Sequence, residues 1–173
     1  MALVADITKI VDELSKAGKV EASTLGKLAE QIGKAFSAKP DEVAILSLAE
    51  GDKFLNFVVP EKLQQIGNIP MTSTTALSVR TAREKRPEVI NNFTTAKHTT
   101  VFEAVPLGKE RGEPIQKIMS APITLDSKII GVIQVSRKGK TLASVGPDFT
   151  PKDLGELVSA GNQIGRCLKM LSS

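Results

Sequence analysis

The chain has no tryptophan and no tyrosine, and only one cysteine and one histidine among 173 residues. A lone cysteine, Cys167, cannot form an internal disulfide, which points to a reducing setting and an expected cytoplasmic location. A lone histidine, His98, leaves no second imidazole for a two-histidine metal site, and zinc-finger spacing is absent. The six phenylalanines are the whole aromatic complement, too few to build stacking platforms for single-stranded nucleic acid. No stretch approaches the roughly 18 apolar residues of a membrane span. Asp6, Lys9, Asp12 and Glu13 interrupt the N-terminal apolar positions, which excludes a signal peptide.

What remains is ordinary for a globular protein: 41% hydrophobic and 24% charged residues, with a formal charge of +4. A chain of this length suits one domain and buries about two-thirds of its unfolded surface. The cations are scattered into two small groups, Arg80, Arg83, Lys85 and Arg86, then Arg137, Lys138 and Lys140. Neither forms a stripe, so nucleic acid is not expected as a partner. The run from Arg137 to Lys140 reads as a solvated turn after a strand. Gly139-Lys140-Thr141 resembles the tail of a phosphate-binding loop, but that motif needs glycine where Gln134 stands.

Apolar spacing divides the chain. Leu3, Ile7, Ile10, Leu14 and Ala17 alternate by four and three residues, a helical seam with a stop signal at Gly18. A second helix from Ser23 or Thr24 presents Leu25, Leu28, Ile32 and Phe36 and ends before Pro40. Val43 to Leu48 and Phe54 to Val59 read as a hairpin around Glu50-Gly51-Asp52. Glu61 to Ile66 suits a helical turn, Ser73 to Arg86 a weak helix, and Val89-Ile90 a short strand after Pro87. Asn92 to Pro114 reads as a long loop, with or without a short helix, of a length that usually serves a function.

Ser120 to Gly139 is a second hairpin turning at Asp126-Ser127. Thr150 can cap a helix opening at Pro151, with Asp153 in the capping-box position. That helix carries a second seam, Leu154, Leu157, Gly161, Ile164, Leu168 and Leu171. Gly161 and Gly165, one turn apart, permit close approach of another helix or relieve crowding against a sheet.

Ser120-Ala121-Pro122-Ile123, Gly131-Val132-Ile133, Thr81 with Pro87 and Val89-Ile90-Asn91, and Phe149-Thr150 with Asp153-Leu154 together resemble the GAF domain. The resemblance implies an α+β fold: an antiparallel sheet of five or six strands, N- and C-terminal helices packed on one face, ligand-pocket loops on the other. Residues 1–20 would be an N-terminal helix belonging to a dimer bundle, and 21–173 the GAF-like domain.

The resemblance implies a non-enzymatic sensor that binds a small molecule and signals through a homodimer to a separate partner. The alternative is a dimerisation or interaction scaffold whose pocket is closed. No membrane association and no cofactor are expected. Cyclic-nucleotide members of the family often carry an Asn-Lys element that is missing here. Bilin-binding members attach through a central cysteine, and GAF-type methionine sulfoxide reductases use several. Cys167 meets neither pattern. The pocket implied by the family would be lined by Leu77, Arg80, Thr81, Asn91, Phe93, His98 and Phe102. Leu77, Phe93 and Phe102 could equally fill a small core beneath the loop. For the dimer interface the seams supply Leu3, Ile7, Ile10, Leu14, Leu157, Gly161, Ile164 and Leu168. They could also bury against one another within one chain.

Overall fold

The computed structural model describes residues 2–17, 22–39, 42–49, 51, 53–59, 68–73, 76–93 and 115–171. Both N-terminal amphipathic runs are helices, α1 (Ala2–Ala17) and α2 (Ala22–Ala35). The first hairpin is β1 (Val43–Leu48) and β2 (Phe54–Val59), followed by β3 (Asn68–Pro70). Next come α3 (Leu77–Glu84), β4 (Glu88–Ile90), β5 (Ile115–Leu125) and β6 (Lys128–Lys138). A short 3-10 helix (Leu142–Val145) leads to α4 (Pro151–Leu171).

The strands form one six-stranded sheet in the order β3-β2-β1-β6-β5-β4, and every pairing is antiparallel. Strand alternation sends Val43, Ile45, Met119, Ala121, Ile123, Ile133 and Val135 to one face, where α1, α2 and α4 cover them in the larger core. The opposite face presents Ala44, Leu46 and Val132 to α3, which contributes Val79 and Ala82, with Ala76 just before it. The terminal helices therefore share one face of the sheet, as expected.

Local chemistry explains the element ends. Asp126 and Ser127 both have positive φ, 52° and 67°, the pattern of a type I′ turn whose twist matches the strands it joins. At α4, Thr150 Oγ1 accepts from the Asp153 amide (3.1 Å) and Asp153 Oδ2 from the Thr150 amide (2.9 Å), a complete capping box. Helix α3 is shorter than the expected span: Ala76 is still extended, and Lys85 closes the helix at φ 56°. Strand β3 was not legible, because three residues ending in proline carry no period. The expected turn at 61–66, the stop at Gly18 and nearly all of the 92–114 loop lie outside the described residues.

The seams and the paired glycines each meet the chain's own core. The seam residues Ile7, Leu157, Ile164 and Leu168 are at most 2% exposed within the single chain, packed in the core that α1, α2 and α4 form with the sheet. Gly161 and Gly165 admit the sheet and not a second helix. A Cβ on Gly161 would lie 3.2 Å from Ile133 Cγ2, and one on Gly165 2.9 Å from the Thr124 carbonyl oxygen. Ile10 is partly buried against the same core, while the side chains of Leu3 and Leu14 lie outside the described residues. A second copy would have to meet α1 and α4 on their outward faces, where Asp12 pairs with Arg166 at 3.0 Å.

Candidate functional site

The face under α3 carries polar side chains where strand alternation calls for apolar ones. Ala44, Gln134, Ser120 and Glu88 are successive cross-strand neighbours on β1, β6, β5 and β4. Ser120 and Gln134 are almost completely buried, as is Thr81 above them on α3. Thr81 Oγ1 donates to the Leu77 carbonyl oxygen at 3.0 Å and lies 2.6 Å from Ser120 Oγ. Either hydroxyl can donate in this Thr81–Ser120 contact. Ser120 in turn accepts from Gln134 Nε2 at 3.1 Å.

As the amide stands, Gln134 Oε1 is buried and accepts no hydrogen bond among the described residues. Such an atom costs about 1–3 kcal/mol unless something donates to it.

The pocket residues expected from sequence have separate fates. Thr81 belongs to the buried polar chain. Arg80 lies beside it but grips Glu88 in a two-bonded pair, Nη2 to Oε2 at 2.7 Å and Nε to Oε1 at 3.2 Å. Asn91 gives both ends of its amide to Phe149, donating to the carbonyl at 3.0 Å and accepting from the amide at 2.9 Å. Leu77 and Phe93 pack with Ile115 and Ile118 in a small apolar cluster. His98 and Phe102 lie outside the described residues. Sequence reading missed Gln134 and Ser120 as site residues. The available signal was a glutamine in phase with Val132 on a strand paired along both edges.

The run from Arg137 to Lys140 is not a solvated turn. Arg137 is buried: it donates to the Phe36 (2.9 Å) and Pro147 (3.0 Å) carbonyls and stacks over Phe149 at 4.4 Å. Burial pulls its pKa below the ordinary arginine value, and Glu42 and Asp153 oppose that shift. Beside it, Lys117 bridges Asp148 and the Gly146 carbonyl, each at 2.7 Å. These cations brace the chain before α4.

Three comparisons bear on this arrangement. The family model described as the GAF domain matches residues 7–168. The chain belongs to the GAF domain family. Members are generally regulatory sensor modules, and enzymes also occur among proteins of this shape. The GAF domain of an Acinetobacter phosphoenolpyruvate-protein phosphotransferase is similar at TM-score 0.68 and 17% identity, covering 95% of this chain and 92% of that one. The corresponding GAF domain from Coxiella burnetii gives 0.65 at 9% identity, covering 96% and 94%. A free methionine-R-sulfoxide reductase from Neisseria meningitidis, solved with its substrate, gives 0.66 at 12% identity, covering 97% and 87%. At these identities the likeness concerns the fold alone. No curated protein matches the sequence.

Within this GAF domain, Cys167 is fully buried in the core of the α1, α2 and α4 face, across the sheet from α3. Burial pushes its thiol pKa up, with Arg166 pulling more weakly the other way. That is the reverse of what a nucleophilic thiolate requires. Among the described residues, no group of three or more His, Cys, Asp or Glu side chains could hold a metal ion. Nor is any described helix long and apolar enough to cross a membrane.

Proposed function

We propose that this GAF domain is a non-enzymatic cytoplasmic regulatory module that binds a small molecule between α3 and the sheet. The change passes to a separate partner through a homodimer. The observation that carries the binding site is the buried, unpaired acceptor of Gln134. A ligand N–H or O–H directed at it recovers the desolvation cost, and that recovery becomes binding energy. The ligand is therefore a hydrogen-bond donor at this point, such as an amide, amine or hydroxyl.

The same hydrogen bonds argue against catalysis. The Ser120 and Thr81 hydroxyls meet each other, the Leu77 carbonyl and the Gln134 amide, none of which is a base. The nearby carboxylate, Glu88, is held by Arg80. Dimerisation would use the outward faces of α1 and α4. A ligand could shift the balance of two dimer arrangements only by its different affinity for them.

A specific observation favours a second reading. Leu77, Phe93, Ile115 and Ile118 fill part of the same face with the protein's own side chains, as a scaffold with a closed pocket would. A thermal-shift screen of metabolites on the wild type and on Gln134→Leu separates the two. A ligand at about 100 times its Kd adds about 2.7 kcal/mol, or about 5–10 °C for a domain of this size. The sensor reading expects such a hit on the wild type alone; the scaffold reading expects none on either protein.

A further inference from the structure

A cleft unrelated to Gln134 opens at the end of the sheet where β1 parts from β6. The β1–β6 pairing stops at Ser47 and Gly131. The two strands press close at Gly131, where a Cβ would lie 2.3 Å from the Leu46 carbonyl oxygen. Beyond it β1 turns away with β2, while Lys128–Ile130 continue beside β5 alone. The space between has a volume of about 760 Å³, within the range of small-molecule sites. Its floor includes Leu48, Met71 and Ile129, each only partly buried against the α3-side core.

The rim is cationic. Arg83 and Lys85 project from the end of α3, Lys128 from the β5–β6 hairpin and Lys169 from α4, and Asp126 is the acid among the described lining residues. Arg83, Lys85 and Lys128 are exposed, and among the described residues no ion pair engages any of them. The α3 and α4 C-termini each contribute only about half a negative charge. Arg83, Lys85 and Lys128 alone outweigh that and Asp126 together, so the described rim is positive over an apolar floor.

We propose that this cleft binds a small amphiphilic monoanion, its hydrocarbon body on Leu48, Met71 and Ile129 and its anionic head among Arg83, Lys85 and Lys128. A plain inorganic anion would leave the apolar floor wet, and a neutral hydrocarbon would leave the cations unused.

The test is titration of the full chain with octanoate, and with 1-octanol as the neutral counterpart, read by amide chemical shifts. The proposal expects saturable octanoate shifts at Leu48, Ala82 and Ile129, and weaker binding of octanol. Affinity for octanoate should fall about tenfold or more in the double variant Arg83→Glu, Lys128→Glu, and should also fall with added salt. Both substitutions are on exposed side chains, so an unchanged melting temperature certifies the variant as folded. Octanoate affinity equal in wild type and variant, octanol binding as tight as octanoate, shifts centred elsewhere, or no saturable binding would each overturn it. Gln134→Leu should leave octanoate binding unchanged, so this result is independent of the site beneath α3.

Discussion

Asn91 and Phe149 hold each other by two reciprocal hydrogen bonds across 58 residues of chain. The side-chain amide of Asn91, just past β4, thereby fixes the backbone immediately before the α4 capping box. Arg137 stacks on the Phe149 ring and holds the same point. A residue expected to contact ligand is committed to joining the edge of the sheet to the last helix.

Asn91→Ala should therefore lower stability by about 2 kcal/mol, two hydrogen bonds at roughly 1 kcal/mol each. Urea denaturation should show a lower midpoint with an unchanged slope. Asn91→Asp keeps the acceptor for the Phe149 amide and should cost less.

Two glycines should respond in opposite directions. Gly155 lies within α4, and a Cβ there meets nothing within 4 Å, so Gly155→Ala should stabilise by about 0.5–1 kcal/mol. A Cβ on Gly131 would lie 2.3 Å from the Leu46 oxygen and 2.6 Å from Leu168 Cδ2. Gly131→Ala should cost about 1–3 kcal/mol or more, because backbone must move. Thermal melts of the two variants check both signs.

Cys167 gives stability a pH dependence. Burial raises its thiol pKa in the folded chain, so the unfolded chain loses the proton first as pH rises. The stability this contributes is whole below the ordinary thiol range, near 8.5, and is lost as pH rises through the folded value. The chain has no tyrosine, which leaves the window between about pH 8 and 9.5 comparatively clear. Stability should fall across that window in the wild type and stay flatter in Cys167→Ala. The native thiol should resist alkylation until the protein unfolds.

The elements legible in the sequence were those set by local rules. The spacing of Leu25, Leu28 and Ile32 gave α2, two short apolar runs around Glu50-Gly51-Asp52 gave β1 and β2, and Thr150 with Asp153 marked the start of α4. Long-range choices were not legible. The α4 seam would look the same whether Leu157 and Leu168 met a second copy or their own sheet, and the structure gives them to the sheet. Gly161 and Gly165 signalled close approach but not what approaches. The candidate site was legible only at Thr81, because the burial of Ser120 and Gln134 follows from strand pairings made over distance.

The central claim is that Gln134 lies at a ligand site, and native mass spectrometry of gently purified protein tests it most directly. Wild type should carry a small mass that denaturation releases. Gln134→Leu should lack that mass and yet lose little stability, since the hydrogen bond to Ser120 that it forfeits is offset by removing a buried unpaired oxygen. A bare wild-type chain that gains no ligand mass from a metabolite pool, or a Gln134→Leu variant that keeps every ligand mass the wild type carries, would contradict the account.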